Sequence, residues 1–264
     1  MKKQLLAASA ITLALPSLSM GALVAWYPLD TDASDASGNG HDGSVVGGTV
    51  NFGQAGANGA TGSSAAFPDN GHIDVPFSSA LNPGSFTVTL WANAGSTGGF
   101  ASPITSRDDV AGPITHGYII YNNSGGNWDF WTGDGDAGWD TLQGPAVATS
   151  TWTHLAITYD AGTDTKTLWV DGVAAVSDNV PQSGPTQYAP NGTIESENLH
   201  IGSGQDDGAN FYFDGNIDDV TIWDEALDGA AIQNIMDNSL NPIPEPSSLS
   251  LLGIVGLAFL RRRR

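Results

Sequence analysis

The sequence predicts an all-β protein: a two-layer antiparallel sandwich with one short helix near its C-terminal end, set between two targeting segments. Three observations predict it. Short runs alternate apolar and polar residues with period two, as half-buried strands do. Glycine, asparagine and aspartate break these runs at short intervals, and 34 of the 264 residues are glycine. The strand-then-helix alternation that a parallel sheet needs does not occur.

The elements follow in chain order. ALVAWYPL, residues 22–29, reads as a first strand. Phe86, Val88, Leu90 and Ala92 alternate with Thr87, Thr89, Trp91 and Asn93. GYIIY (117–121) and WDFW (128–131) are joined by NNSGG and form a hairpin, and TGDGDAG after them reads as a turn. Leu155, Ile157 and Tyr159 alternate with His154, Ala156 and Thr158, and Leu168 and Val170 flank Trp169 before an Asp171-Gly172 hairpin turn. After Trp223 the period changes, and Leu227, Ile232, Ile235 and Met236 predict one short helix with Asp228 as its N-cap.

Both ends carry addresses. Lys2 and Lys3 precede an apolar stretch from Leu5 to Leu15, then Pro16 and the small-residue zone SLSMGA. This pattern predicts a signal peptide over residues 1–22, cut after Ser19, Gly21 or Ala22. Residues 241–264 hold Pro244, Glu245 and Pro246, an apolar run from Leu249 to Leu260, and Arg261, Arg262, Arg263 and Arg264. The two prolines impose an extended, exposed segment. As a helix the apolar run spans about 18 Å, against about 30 Å of hydrocarbon, so a transient membrane stop suits it better than a permanent transmembrane helix. The order PEPSS, apolar helix, arginine cluster resembles the PEP-CTERM sorting signal of Gram-negative bacteria. That resemblance implies cutting near Pro244–Pro246 by an exosortase-type membrane protease, then delivery to the cell surface or extracellular matrix. The alternative is a tail anchor that is never cut.

Between these segments, residues 23–240 are expected to form one domain. Six of the eight basic residues lie in the targeting segments, leaving only Arg107 and Lys166, while 27 of the 28 acidic residues remain; the formal charge there is −25. Nucleic acid and anionic membrane surfaces are poor partners for such a surface. Eight tryptophans argue for a packed core rather than disorder, and the lack of cysteine excludes thiolate chemistry. Aspartates crowd the Gly- and Asn-rich turns, where they are turn formers first and calcium ligands second.

The runs LVAWYPLD, DASGNGHDG, AAFPDNGHIDVP, FTVTLWA, TWTHLAITYD, TLWVDG, NLHIGSG and FDGNIDDVTIWDEAL occur in that order over residues 23–238. The succession resembles the laminin G-like, concanavalin A-type jelly-roll domains of bacterial surface proteins. It implies a jelly roll whose first and last strands lie side by side, bringing the DASGNGHDG loop near the IDDV strand. In this family that corner commonly holds one structural calcium ion. The matching hard oxygen ligands are Asp35, Asn39 and one or both of Asp218 and Asp219, with Asp30 and Asp42 in reserve. Strand alternation would send Asp218 and Asp219 to opposite faces, so only one is expected to be a direct side-chain ligand, and Asp218 is the preferred one. The competing reading is an Asx-stabilised turn beside a solvated acidic strand.

Catalysis finds little support. Glycoside hydrolases of this fold usually carry an E-x-D-x-x-E strand, whereas Glu195 and Glu197 form only an E-x-E in a polar stretch. The five histidines are widely separated, and His154 reads as a packed strand residue. Binding of a glycan or matrix component is the expected activity, with a structural or adhesive surface protein as the alternative. The segment from Tyr118 to Trp139 mixes aromatic rings with Asn122, Asn127, Asp129, Asp134 and Asp136. In WDFW, Trp128 and Phe130 share one face while Asp129 and Trp131 share the other. Trp131, Trp139, Asp129 and Tyr121 are therefore the candidate sugar-binding residues, the rival reading being that these rings fill the core. Trp26, Trp152, Trp169 and Trp223 are assigned to packing.

Overall fold

A computed structural model describes residues 21–107, 114–179, 198–205 and 210–240, and the side chains among them except those of 114 and 134–137. The signal peptide up to residue 20, Glu195 and Glu197, the side chains of Asp134 and Asp136, and the sorting residues Pro244, Glu245, Pro246 and Arg261 to Arg264 lie outside the described residues.

The strands are β1 (Leu23–Tyr27), β2 (Ser44–Val46), β3 (Asn51–Ala55), β4 (Ser63–Phe67), β5 (His72–Val75), β6 (Phe86–Ala94), β7 (Ala101–Arg107) and β8 (Ile114–Asn122). They continue as β9 (Asn127–Ala137), β10 (Asp140–Ala146), β11 (Thr153–Asp160), β12 (Thr165–Val170), β13 (Val173–Asn179), β14 (Leu199–Ile201) and β15 (Gly215–Trp223), followed by helix α1 (Gly229–Asn238). One sheet runs β13-β12-β11-β6-β15-β4-β3, with β1 also paired to β15; the other runs β10-β9-β8-β7-β14-β5-β2. Every pairing is antiparallel, as the jelly roll requires.

The core lies between the sheets. Val88, Leu90, Leu155, Ile157, Leu168, Ile217, Val220 and Ile222 from the first sheet meet Ile73, Val75, Ile104, Tyr118, Ile120, Trp128 and Phe130 from the second. Except between Ile217 and Val220, these are alternate residues of their strands, so period two in the sequence becomes inside and outside in the fold. A second cluster joins Ala156, Trp223, Leu227, Ile232 and Ile235, seating α1 on the outer face of the first sheet. Asp228 caps that helix by accepting from Ala231 N at 2.8 Å. The Asp171-Gly172 hairpin is also present, both residues having positive φ (48° and 75°) as a type I′ turn demands.

Two expectations need correcting. TGDGDAG is strand rather than turn: β9 runs on to Ala137 and stays paired with β8, Asp134 opposite His116 and Ala137 opposite Ile114. Pairing with a long partner strand, kept across one register shift between His116 and Ile114, overrides the local turn preference of Gly and Asp. The second correction concerns Asp218 and Asp219. Both Ile217 and Val220 lie in the core, so two residues rather than one occupy the outer side between them. The register of β15 on β6 shifts there, and Asp219 adopts φ 52°. A β-bulge has replaced simple alternation. Among the described residues, no helix is long and apolar enough to cross a membrane.

Candidate functional site

The outer face of the second sheet carries an aromatic surface. The β8–β9 hairpin sets Tyr121 opposite Asp129 and Ile119 opposite Trp131, and β10 sets Gln143 opposite Asp129. Alternation then separates two groups of rings. Trp128 and Tyr118 are buried between the sheets, the latter 4.9 Å from Phe86, whereas Tyr121, Trp131 and Trp139 lie on the outer side. Trp128 and Tyr118 therefore fill the core, while Tyr121, Trp131 and Trp139 belong to the opposite face.

The outer rings touch one another. Centroid separations are 5.2 Å for Tyr121–Trp131, 6.2 Å for Trp131–Trp139 and 5.2 Å for Phe100–Tyr121, and Phe100 lies 5.8 Å from Trp131. Tyr121 is buried; Trp131 and Trp139 are partly exposed, and Phe100 is one of few large apolar side chains open to solvent. Phe100 and Phe211 escaped the sequence reading, since both sit in Gly-rich loops rather than in an aromatic-polar strand. The signal for Phe211 was the aromatic triplet FYF after GAN. Phe211 takes φ 39° and anchors its loop by accepting from Ser102 N at 2.9 Å, which puts its ring 5.7 Å from Tyr121. A left-handed backbone at a bulky residue is strain of the kind found at ligand sites.

Asp129 lies beneath this surface. Its Oδ2 accepts from the Trp131 indole Nε1 at 3.2 Å, and its Oδ1 is buried without a partner. Burial pushes its pKa up, and hydrogen bonds from Asn123 and Trp131 only partly offset that. The Arg107 guanidinium covers Trp139, 4.8 Å from the ring centroid.

The predicted metal residues fall into two groups. Asp35 fastens its own loop: Oδ1 accepts from Trp26 N (3.0 Å) and Ser37 N (2.9 Å), and Oδ2 from His41 N (3.0 Å). Partial burial works against its ionised form, yet the bonds from Ser37, Trp26 and His41 hold it below the usual carboxylate range. Asp42 supports it by accepting from Asp35 N, and the Asn39 amide donates to the carbonyls of Leu23 and Val24. These residues build the turn.

Asp218 and Asp219 have other neighbours. Asp218 Oδ2 accepts from Ala57 N (2.8 Å) and Thr61 Oγ1 (2.7 Å), while Oδ1 is buried and unpaired. Asp219 Oδ1 accepts from Trp26 Nε1 at 2.6 Å. Trp26 and Thr61 both line a cavity of about 300 Å³, with Pro28, Asp30, Gly59, Ala60, Gly62 and Ser239. Gly62 is required there: at φ 81° a Cβ would collide with Asp30 Oδ1, which also accepts from Ser63 N. Burial raises the Asp218 pKa to about 7 against its two hydrogen bonds, with the charges of Asp219 and Asp30 adding to the rise. An unpaired buried carboxylate oxygen beside two further carboxylates is the chemistry a hard divalent cation satisfies. Asp30 lines this cavity, whereas Asp35 and Asn39 do not. Among the described residues, however, no three His, Cys, Asp or Glu side chains already stand close enough to share an ion.

One more cluster has the form of a hydrolytic relay. Ser203 Oγ lies 3.2 Å from His200 Nδ1, and His200 Nε2 lies 3.3 Å from Asp74 Oδ1, beside His72 at a ring separation of 4.7 Å. Ser203 is wholly buried, so no acyl carbon can reach its hydroxyl. The cluster ties β14 to β5.

No curated protein matches this chain in sequence. Among solved structures, similarity extends to Domain 4 of AbnA, a GH43 extracellular arabinanase from Geobacillus stearothermophilus, in complex with arabinotriose. The TM-score is 0.62 at 22% identity, covering 83% of this chain and 100% of that one. The binding domain of Paraclostridial Mosquitocidal Protein 1 gives 0.58 at 16% identity, covering 83% of this chain and 52% of that one. The CBM40 of Ruminococcus gnavus IT-sialidase gives 0.54 at 12% identity, covering 66% and 96%. At these identities the likeness is one of fold. Residues 242–264 match the PEP-CTERM protein-sorting motif, which marks exported proteins sorted to the cell surface in Gram-negative bacteria. Residues 67–233, more than half of the sequence, match the laminin G-type family model, and the chain belongs to the concanavalin A-like lectin/glucanases superfamily.

Proposed function

We propose that the exported protein is a non-catalytic carbohydrate-binding domain that holds a glycan on the outer face of its second sheet. The observation that carries this reading is the continuous aromatic surface formed by Trp131, Trp139, Phe100 and Phe211 around buried Tyr121. Partly exposed rings stack on the apolar faces of pyranose sugars, and such rings on a rigid sheet bind with little loss of conformational freedom. Domain 4 of the arabinanase, similar in fold and bound to arabinotriose, supports the reading by analogy.

Calcium is structural in this reading, held by Asp218, Asp219 and Asp30. The ion would neutralise the corner where the first and last strands meet. Asp35, Asn39 and Asp42 hold the neighbouring loop in shape. A signal peptide over 1–22 and an exosortase-type protease acting near Pro244–Pro246 would deliver residues 23–240 to the surface or matrix, the C-terminal tail touching the inner membrane only before cutting.

A glycan array on the purified secreted protein tests the proposal. Saturable binding that Trp131→Ala abolishes, in a variant that melts like the wild type, is the expected result. Absence of binding to every glycan, together with self-association or capture of surface proteins, would instead establish the coat-protein alternative.

A further inference from the structure

We infer that the glycan held on this aromatic face carries positive charge, as an amine-bearing saccharide does; the inference rests on the glycan-binding reading above. The first observation concerns where the protein keeps its cations. Residues 23–240 contain only Arg107 and Lys166 as basic side chains, and these are 5% and 0% exposed. Lys166 donates to Thr132 Oγ1 and to the Asp140 carbonyl, 5.0 Å from the Phe130 centroid, and Arg107 covers Trp139. No lysine or arginine on the exported domain is therefore free to pair with a sulfate or a uronate, and an acidic glycan meets a surface of formal charge −25.

The second observation is local. Trp131 donates its indole N–H to a carboxylate that is itself nine-tenths buried and retains an unpaired oxygen. Donation to an anion pushes electron density into the ring and deepens the negative potential over its face. Phe100 and Tyr121 meet Trp131 nearly at right angles, at 75° and 78°, so ring faces and edges form a corner rather than a flat stack. An ammonium group within about 6 Å of such a face is attracted by the ring quadrupole, most strongly at tryptophan. Residues 23–240 already use this chemistry internally, since Arg107 and Lys166 both lie over rings. Arg107 opposes a second cation at Trp139, which assigns the amine to Trp131 and Phe100.

Titration calorimetry on the secreted protein tests the inference, using a glucosamine tetrasaccharide, its fully N-acetylated counterpart, a galacturonate tetrasaccharide and tetralysine. The amine-bearing sugar should bind about five- to tenfold more tightly than the N-acetylated one, the gain expected of one cation–π contact at a partly exposed site. Galacturonate should bind weakest. Trp131→Ala should abolish binding of both glucosamine sugars, and Asp129→Asn should bring their affinity ratio down toward about one. Equal affinity for the two sugars would overturn the inference while leaving the glycan reading intact. Tetralysine binding as tightly as the amino sugar, or an amine preference that survives Trp131→Ala, would assign the attraction to the general negative field and overturn it as well. If none of these saccharides binds, the inference falls, and the glycan array decides the glycan reading separately.

Discussion

Trp26 and Asp219 stand 193 positions apart and are joined by a 2.6 Å hydrogen bond from the indole Nε1 to the carboxylate Oδ1. The backbone N–H of the same Trp26 donates to Asp35. One residue on the first strand thus holds both the acidic loop that follows it and the acidic bulge of the last strand. The packing role expected of Trp26 is only part of what it does.

Trp26→Phe keeps an aromatic ring and removes the indole donor. Asp219 is 2% exposed, so losing a hydrogen bond there leaves a buried carboxylate short of a partner. The expected cost is about 1–3 kcal/mol, read by denaturant unfolding at pH 7. A change below about 0.5 kcal/mol would mean that the bond contributes nothing net.

Calcium gives a second prediction, with two variants that separate the candidate ligands. If the ion binds at Asp30, Asp218 and Asp219, excess calcium at about 100 times its Kd adds about 2.7 kcal/mol of stability. For a domain of this size that raises Tm by roughly 5–10 °C over the chelated protein. Asp30→Asn should remove most of that difference. Asp35→Asn should lower Tm equally with and without calcium, because Asp35 spends its oxygens on three backbone N–H groups. Coincident wild-type melts in calcium and in chelator would rule out the ion.

How much of this was legible in the sequence depends on the range of the determining interaction. Trp131 and Asp129 were legible together because strand alternation is local and places them on one face. The capped helix was legible for the same reason, Asp228 lying three residues before Ala231. The bulge at Asp218–Asp219 was not, since it depends on β15 meeting β1, β4 and β6 at once, which no window of β15 contains. Turn-forming and calcium-binding aspartates share the same composition, so the sequence does not separate the role of Asp35 from that of Asp30. The cavity lined by Trp26, Thr61 and Ser239 includes Asp30 and not Asp35.

His154 predicts the acid side of the stability profile. It is almost wholly buried, and burial pulls its pKa down from 6.5 to about 3. The folded protein keeps the imidazole neutral where the unfolded chain binds a proton. Stability from this residue is therefore complete above about pH 6.5 and is lost as pH falls toward 3. His154→Phe should flatten that part of the profile, measured as unfolding free energy between pH 6.5 and 4. An unchanged slope would show that other groups set the acid limb.

The C-terminal tail gives the last prediction. As a helix the apolar run from Leu249 to Leu260 would span about 18 Å against about 30 Å of hydrocarbon, so a tail left in place would be a poor anchor. In the processing proposed above, the four arginines at its end would oppose passage through the membrane and keep the tail where the protease acts near Pro244–Pro246. Intact mass spectrometry of the surface-released protein should therefore find a chain ending close to Pro246, without Arg261 to Arg264. Replacing those four arginines with serine should reduce release and leave full-length chain inside the cell. Loss of the tail also removes the only cluster of positive charge, so the released protein should run as a strongly acidic species of formal charge near −25. Recovery of the tail on released protein would show that sorting does not use cleavage, and the arginines would then have to be counted among the charges a glycan meets.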